Sequence, residues 1–409
     1  MTKKYDITVY GATGFTGKQA AFRLSGLTQA LDLRLAVAGR SREKLSALVS
    51  QLPERSVPVE ILVADSSDVA ALYELTKKSG LVVNLAGPFA KYAPELVSLC
   101  VENNCDYVDI TGEPAFVHRM IQAHHASAQK NKVRVVPFCG FDSIPSDLGC
   151  FFILQEWRRR FQETGEECEE IVSLFKLKGG FNGGTVATAF EMIKNGDSAV
   201  LEQNLNLLSV SDKIPTAPDW KGPHWIKAKR GYSAPFFMAP VNTRVVRRSQ
   251  SLFAQEESPA VFSKSNRFVY QEGLGWGHRF PFQGLLTSGV LGLINLSAKS
   301  KGLMSLGQKM APKPGSGPSD KTMDSGFAKA VILARGRKGS LLEGSFFAEG
   351  DPGNRATIKM LCEAALCLAL AGERRRLPEV YGVLTPAFAF RNVLLERLEK
   401  IGITFQIDE

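Results

Sequence analysis

Residues 5 to 140 alternate short apolar runs with amphipathic segments, and this alternation constrains the fold more than any other feature. The runs YDITVY, LRLAVAG, VEILVAD, LVVNLAG, DYVDIT and VRVVPF each predict a strand. Helical patterns such as TGKQAAFRLSGL and AFVHRMIQAHHASAQKN separate them. Apolar strands joined through helices form a doubly wound parallel sheet. We therefore predict an α/β fold with an N-terminal Rossmann-type sheet.

The pattern changes after about residue 150 and predicts a second, α+β domain. EEIVSLFKLKGG begins it with an alternating, strand-like run, and RVVRRSQSLF and FAKAVILARGRKGSLLEGSFFAEG predict antiparallel strands. PKPGSGPS, residues 312–319, predicts a Pro/Gly-rich loop between the parts of this domain. NRATIKMLCEAALCLALAG predicts a long helix, and the chain is expected to close with a turn, a helix and a strand. The expected division is 1–145, 146–370 and a C-terminal segment, 371–409, that packs back on the body.

Composition and charge bound the functional classes. The chain has 409 residues, 44% of them hydrophobic, which favours two domains over one. Its formal net charge of +9 is spread over short basic clusters rather than one arm. These clusters occur without a nucleic-acid-binding motif, so the expected partners are anionic small molecules, acidic proteins or a membrane surface, and not nucleic acid.

The cysteines and the N-terminus indicate a cytoplasmic protein. Seven cysteines are scattered without zinc-site spacing, so no metal site is expected. The N-terminal residues MTKKYDITVYG run directly into the first strand and leave no signal peptide. The uncharged stretch 280–298 is too diluted by polar residues and glycines to predict a spanning helix. It predicts a buried element, or a surface that holds a greasy substrate or contacts a membrane or lipid droplet.

Three glycines, Gly11, Gly14 and Gly17, follow the first predicted strand in YGATGFTGK. This spacing is a variant of the dinucleotide-binding turn, in which glycines permit a tight turn, a close approach of pyrophosphate and close helix packing. The helix N-terminus that follows would face the anion. The residues between the glycines that complete the predicted cofactor loop are Thr13, Phe15 and Thr16.

The later strand ends favour NADP over NAD. The second strand ends in AGRSREK, with Arg40 and Ser41 where an acidic residue would hold a ribose 2′-hydroxyl, and a guanidinium suits a 2′-phosphate. Asp65 and Ser66 follow the third strand, either at the adenine edge or as a helix cap. The predicted floor under the nicotinamide ribose follows the fourth strand and comprises Asn84, Ala86, Gly87 and Pro88.

Together these residues resemble the saccharopine dehydrogenase-like oxidoreductases, and most nearly their branch of trans-acting enoyl reductases. The resemblance is carried by YGATGFTGK, LAVAGRS, DYVDITGEPAF, CGFDSIPSDLG, FKLKGGFNGGTVAT, FMAPVNTRVVRRS, PKPGSGPS, EGDPG and GVLTPAFAF. It runs from residue 9 to about 390. One departure is GPFAKYAPE, where Tyr92 is kept but Phe89 and Ala93 replace the family's tyrosine and glycine.

The resemblance implies an NADP-dependent enoyl reductase. Its expected substrate is a lipid or polyketide acyl chain held as a thioester, and its expected partner is an acidic acyl carrier protein. The expected pathway is the synthesis of glycolipids or other lipids. Two alternatives stay open: reduction of a carbonyl or imine, and a non-catalytic NADP-binding protein at a lipid surface. The sequence does not decide the oligomeric state, and a homodimer is one option.

Enoyl reduction needs a proton donor and a hydrogen-bond donor for the thioester oxygen. The candidates are Tyr92, Asp142 and Ser143, and Asp109 is a further carboxyl at a strand end. Each could instead be structural, since Asp and Ser are ordinary turn and cap residues.

Overall fold

The computed structural model describes residues 3–54, 56–180, 196–211, 214–256, 268–278, 281, 285 and 316–408. Their strands form two sheets of seven strands each. The predicted uncharged segment 280–298 and the glycine-rich residues 181–185 lie outside these ranges, apart from 281 and 285.

The first sheet is fully parallel, as predicted, with the order β13-β6-β5-β4-β1-β2-β3. Its strands are β1 (Tyr5–Tyr10), β2 (Leu35–Gly39), β3 (Glu60–Val63), β4 (Ser79–Asn84), β5 (Asp106–Asp109), β6 (Arg134–Val136) and β13 (Gly382–Val383). The connecting helices are α1 (Phe15–Ala30), α2 (Arg42–Val49), α3 (Val69–Lys78), α4 (Phe89–Tyr92), α5 (Pro94–Glu102) and α6 (Pro114–Lys130). The α/β prediction is confirmed, and β13 is an addition that the sequence did not predict.

The second sheet is mixed and has the order β14-β12-β11-β7-β10-β9-β8. Its strands are β7 (Cys168–Lys178), β8 (His224–Ile226), β9 (Gly231–Pro235), β10 (Val269–His278), β11 (Phe327–Gly336), β12 (Leu341–Glu349) and β14 (Thr404–Ile407). β7 and β10 are parallel, and the other pairs are antiparallel. The described helices of this half are α7 (Ile144–Phe161), α8 (Asp197–Gln203), α9 (Ala239–Phe253), α10 (Asp320–Asp324), α11 (Thr357–Ala369), α12 (Ala371–Arg376) and α13 (Pro386–Lys400).

One predicted strand is wrong, because RVVRRSQSLF forms the last two-thirds of helix α9. The β-branched residues of this stretch favour a strand locally, but packing overrides that preference. Arg244, Arg247 and Arg248 are buried on the helix and donate hydrogen bonds to backbone carbonyls of Leu201, Leu205, Ala217, Leu208 and Val383. These guanidinium groups therefore hold the segment around and after α8 onto α9.

One of the hydrophobic core clusters spans both sheets. It includes Val83 and Val108 from the first sheet and Phe175 and Ile332 from the second. Helix α11 packs on β1, β4 and β5, whereas α7 packs on β7, β11, β12 and β14. Helix α13 contacts both helices, so a helical layer joins the sheets.

The C-terminal segment contributes β13 to the first sheet and β14 to the second. The domain boundaries at 145 and 370 stay a prediction. Across the ranges listed above, no helix combines the length and apolarity needed to cross a bilayer.

Candidate active site

The candidate site is built from the loops that follow the carboxyl ends of the first sheet. Because all seven strands run in the same direction, the residues after β1, β2, β3, β4, β5 and β6 meet at one edge. Ligands of open α/β sheets bind at this edge. Every cofactor and catalytic residue predicted above is the last residue of one of these strands, belongs to the loop after it, or lies in the first turn of the following helix.

The three glycines of the first loop have different structural causes. Gly11 has a φ of +77°, and a β-carbon there would lie 2.7 Å from the backbone nitrogen of Ala86. A β-carbon on Gly17 would lie 2.1 Å from the Gly11 carbonyl oxygen. On Gly14 it would meet only that oxygen, at 3.4 Å. The packing of the protein therefore requires Gly11 and Gly17, and the absence of a side chain at Gly14 leaves room for a ligand.

Helix α1 presents an uncapped N-terminus at this point. Gly14 is the N-cap residue and offers no side chain, and the first turn contains no acidic residue. Its free amides and positive dipole end suit a phosphate anion. The Thr13 hydroxyl lies 3.9 Å from the position of a β-carbon on Gly39, at the end of β2. Phe15 and Thr16 open the helix itself.

The next two loops bring Arg40 and Asp65 together. Arg40 is exposed directly after β2. Asp65 accepts hydrogen bonds from the Ser67 amide and hydroxyl, which lower its pKa, and the charge of Arg40 lowers it further. Burial and Asp65 raise the pKa of Tyr10 to about 12.

The hydrogen bonds show which side chains cap the helices after these two loops. The Ser41 hydroxyl caps α2 by accepting from the Lys44 amide at 3.3 Å. Helix α3 is capped by Asp68, not by Asp65 or Ser66. Asp65 is thus held in its own turn, and Ser66 lies partly exposed beside it.

A buried chain of polar groups stands at the ends of β4 and β5. Asn84 donates to the Tyr107 hydroxyl at 2.8 Å, and Tyr107 donates to Asp109 at 2.8 Å. The side-chain Oδ1 atom of Asn84 accepts from the Ala86 amide at 2.9 Å. Burial raises the pKa of Asp109 to about 7. This chain fixes the start of the 84–88 loop, and the role of Tyr107 was not predicted.

Glu113 is a second residue that sequence reasoning missed. It is buried, and its two carboxyl oxygens accept from the amides of Phe89 and Ala90, each at 2.8 Å. It thereby holds the N-terminus of α4, directly after the cis Gly87–Pro88 peptide. Its position after DITG, within a stretch that carried the family resemblance, was the available signal.

Tyr92 ends α4 and is partly exposed. The Lys91 ammonium lies 5.1 Å from its ring centroid. Its hydroxyl makes no hydrogen bond to the residues that the structure describes, so it can donate to a ligand.

Asp142 is the least constrained carboxyl at this edge. It follows β6, retains some accessible surface and has no hydrogen bond to another described residue. Burial of the group raises its pKa to about 6. Its neighbour Phe141 is tied to the second half of the chain, because its amide donates to the Thr357 hydroxyl at 3.1 Å.

Ser143 lies in a different environment. It is fully buried, and its hydroxyl donates to the side-chain Oδ1 atom of Asn242 at 3.0 Å. The Nδ2 group of Asn242 donates to the Glu272 carboxylate, also at 3.0 Å. Ser146 and Tyr270 also donate to Glu272, whose pKa burial raises to about 7. This network joins α7, α9 and β10, so Asn242 serves it rather than an open site.

The second half of the chain covers the glycine loop. A β-carbon on Gly317 would lie 2.3 Å from the Phe15 ring, and one on Gly180 would lie 3.0 Å from Pro318. Arg355 donates to Gln19 on α1 at 2.8 Å and to Asp320 and Asp324 on α10 at 2.7 and 2.8 Å. Residues 316–324 are thus clamped beside the N-terminus of α1.

Helix α6 carries His118, His124 and His125. The Nδ1 atom of His125 accepts from the Val383 amide at 3.1 Å, and burial lowers the pKa of His125 to about 4. Within the described part of the chain, no three His, Cys, Asp or Glu side chains are grouped to hold a metal ion. All seven cysteines are buried and free.

Known proteins match both the first domain and the whole chain. The profile of the saccharopine dehydrogenase NADP-binding domain matches residues 7–136. A Mycobacterium tuberculosis protein with the provisional name of trans-acting enoyl reductase is 32% identical, over 99% of this chain and 97% of its own. The trans-acting enoyl reductase of Mycobacterium bovis is also 32% identical, over 98% of this chain and 97% of its own.

The chain belongs to the saccharopine dehydrogenase-like oxidoreductases. The family is that of NADP-binding enzymes, so this protein is an NADP-dependent oxidoreductase. Apo saccharopine dehydrogenase (L-Glu forming) of Saccharomyces cerevisiae has the same fold, with a TM-score of 0.51 at 12% identity, over 98% of this chain and 99% of its own.

The geometry fits this cofactor. Gly14 leaves space in front of an uncapped helix N-terminus, where a pyrophosphate binds. Arg40 supplies an exposed guanidinium at the end of β2, where a 2′-phosphate is distinguished from a hydroxyl. The 84–88 loop, supported by Asn84, remains the predicted contact of the nicotinamide half.

Proposed function

We propose that this protein is an NADPH-dependent enoyl reductase that acts on an acyl thioester carried by another protein. The observation that carries the proposal is its identity of 32%, along nearly the full length of both chains, to relatives named trans-acting enoyl reductases. The proposed substrate class is a lipid or polyketide acyl chain.

We propose Asp142 as the proton donor. NADPH, when bound, supplies the hydride, and the reduced double bond then needs a proton at the α-carbon. A carboxyl with a pKa of about 6 is partly protonated near neutral pH and can release that proton. Asp142 is preferred because it has no described hydrogen-bond partner that would hold its proton elsewhere.

Tyr92 is proposed to stabilise charge on the thioester oxygen. Tyr92 is partly exposed at the end of α4, whose N-terminus is held by Glu113. A hydrogen bond to the oxygen strengthens as negative charge develops there, which lowers the barrier. Ser143 is assigned a positioning role, because its buried hydroxyl already donates to Asn242.

The test is NADPH consumption with matched thioesters. Purified protein is given crotonyl-N-acetylcysteamine and acetoacetyl-N-acetylcysteamine, with NADPH or NADH, and loss of reduced cofactor is followed. We expect oxidation with the enoyl thioester and NADPH, and formation of the saturated product.

Two further results separate the alternatives. Turnover of the keto thioester alone would replace the proposal with carbonyl reduction. Tight NADPH binding without turnover of either thioester would favour a non-catalytic protein at a lipid surface. Arg40→Ala is the cofactor control and should weaken NADPH binding about tenfold while leaving NADH binding unchanged.

A further inference from the structure

The outward face of the second sheet carries an unusual row of lysines. Lys176 on β7 is directly opposite Lys329 on β11, so their side chains lie on the same face. Lys178 is two residues further along β7 and is directly opposite Phe327. Like charges placed directly opposite one another destabilise a sheet. Lys176, Lys178 and Lys329 are called the lysine row below.

No carboxylate of the described chain lies within ion-pair distance of the lysine row, and these lysines make no described hydrogen bond. Burial and the charge of Lys329 lower the pKa of Lys176. Lys178 and Lys329 are exposed. The row therefore has an unbalanced positive charge that folding does not explain.

The other end of the same sheet face shows the usual arrangement. Arg335, six residues along β11, is opposite Glu170 and donates to it at 3.1 Å. It also lies 3.7 Å from Glu169. Cross-strand charges are thus paired at one end of β11 and opposed at the other.

Aromatic side chains accompany the lysine row. The Lys176 ammonium lies 3.9 Å from the ring centroid of Trp276, and the Lys329 ammonium lies 5.7 Å from that of Phe327. Phe347, opposite Lys329 on β12, is 40% exposed. A surface that sets cations without a carboxylate partner beside an exposed aromatic ring suits an acidic partner that also buries apolar area.

The lysine row adjoins the cofactor loop. Directly after Lys178, a β-carbon on Gly179 would lie 2.7 Å from the Asp351 side chain, and Gly180 packs on Pro318. Pro318 follows Gly317, which lies on Phe15 of the glycine loop. A partner seated on the row would therefore stand beside the mouth of the candidate site.

We propose that the lysine row, with Phe347, is the docking surface for an acidic acyl carrier protein that delivers the thioester. This rests on the proposed function and names its partner surface. Acidic side chains of the carrier would pair with the lysines and offset their mutual repulsion. The carrier's attached thioester would enter from the side of Gly179 and Pro318.

The test compares Lys329→Glu with Arg335→Glu. Both variants change one exposed cation on β11 to an anion, so net charge changes equally. The substrates are crotonyl-loaded acyl carrier protein and crotonyl-N-acetylcysteamine, which has no carrier. We expect Lys329→Glu to raise KM for the carrier-bound substrate about tenfold without changing its kcat. Both kinetic constants for the carrier-free thioester should stay the same. Arg335→Glu should leave the constants for both substrates unchanged.

Thermal unfolding separates docking from structure. The new carboxylate of Lys329→Glu faces Lys176, so its melting temperature should equal or exceed that of the wild type. Two results would overturn the docking proposal. One is an equal loss of activity toward the carrier-bound substrate in both variants, and the other is a loss of activity toward both substrates in Lys329→Glu. If the wild type reduces neither thioester, the proposed function fails, and docking is judged from the Kd of labelled carrier protein for the same variants.

Anionic vesicles provide the last arm. Vesicles containing phosphatidylserine are sedimented with the wild type and with each variant. Binding that is lost only in Lys329→Glu, while carrier affinity stays unchanged, would assign the row to a lipid surface and contradict the proposal.

Discussion

A β-carbon on Gly17 would lie 2.1 Å from the Gly11 carbonyl oxygen, whereas one on Gly14 would lie 3.4 Å from the same atom. Backbone atoms cannot give way to the first contact, but a small adjustment relieves the second. Protein packing and ligand binding therefore make separate demands on the same turn. Substitutions at the two positions should separate these demands.

Gly17→Ala should lower the free energy of unfolding by about 1–3 kcal/mol or more, because the strand and helix must move apart. The free energy of unfolding of Gly14→Ala should lie within about 0.5 kcal/mol of the wild-type value, but the variant should bind NADPH about tenfold more weakly. Denaturant unfolding and NADPH fluorescence measure the two effects. Equal loss of stability in both variants would contradict the assignment of Gly14 to the cofactor.

Asp142 should impose a pH limit on the reaction. Its pKa is raised to about 6, so its protonated, proton-donating form is lost as pH rises through that value. We expect kcat/KM for the enoyl thioester to fall on the alkaline side of about pH 6. Asp142→Asn should lower kcat/KM by about 10²-fold or more and remove this alkaline decrease in the pH profile. If the alkaline decrease persists in the variant, it arises from the titration of another group.

At the scale of elements, buried polar contacts set the positions of the helices between the sheets. Asp147 on α7 accepts from the Ser249 hydroxyl on α9 and from the Ala387 amide on α13, the latter at 2.8 Å. The Ser249 hydroxyl also hydrogen-bonds Thr385 at 2.6 Å. One carboxyl therefore joins three helices, and its ionisation affects all of them.

Asp147→Asn should change how stability depends on pH. Burial raises the folded-state pKa of Asp147 to about 7, above its unfolded value near 4. The folded state therefore binds the extra proton between these values, and this carboxyl lowers stability progressively as pH rises from about 4 to 7. Asparagine does not ionise, and it can accept from the Ala387 amide through Oδ1 and donate to the Ser249 hydroxyl through Nδ2. The free energy of unfolding should decrease less between pH 5 and pH 8 in the variant than in the wild type, and the difference should be roughly 1–3 kcal/mol.

At the scale of the whole molecule, residues more than 300 positions apart in the chain meet at the glycine loop. Gly317 lies on the Phe15 ring, and Arg355 clamps α10 to α1 through Gln19, Asp320 and Asp324. The second half of the chain thus forms one wall of the predicted pyrophosphate site. Cofactor exchange should depend on this contact.

Gly317→Val should displace the wall and increase the dissociation rate of NADPH about tenfold, measured by stopped-flow fluorescence. Phe15→Ala combined with Gly317→Val restores space and should return the rate toward that of the wild type. Affinity for 2′,5′-ADP is measured alongside as a test of the adenine half. If NADPH dissociates from the double variant as fast as from Gly317→Val, the contact does not control cofactor release.

Local rules were sufficient for much of this protein. The alternation of apolar strands and helices predicted the parallel sheet, because a strand buried on both faces leaves a continuous apolar run. The glycine spacing and Arg40 predicted the cofactor class, since both act through residues adjacent in the chain. The hairpin of β11 and β12 also followed from its sequence.

Only the tertiary structure decided which polar groups meet across long separations in the chain. The sequence does not show that Glu113 accepts from the amides of Phe89 and Ala90, or that Ser143 is engaged through Asn242 with Glu272. It also misled at α9, where backbone carbonyls of distant segments solvate three buried arginines. These outcomes depend on desolvation and on partners brought together by folding, which no local pattern records.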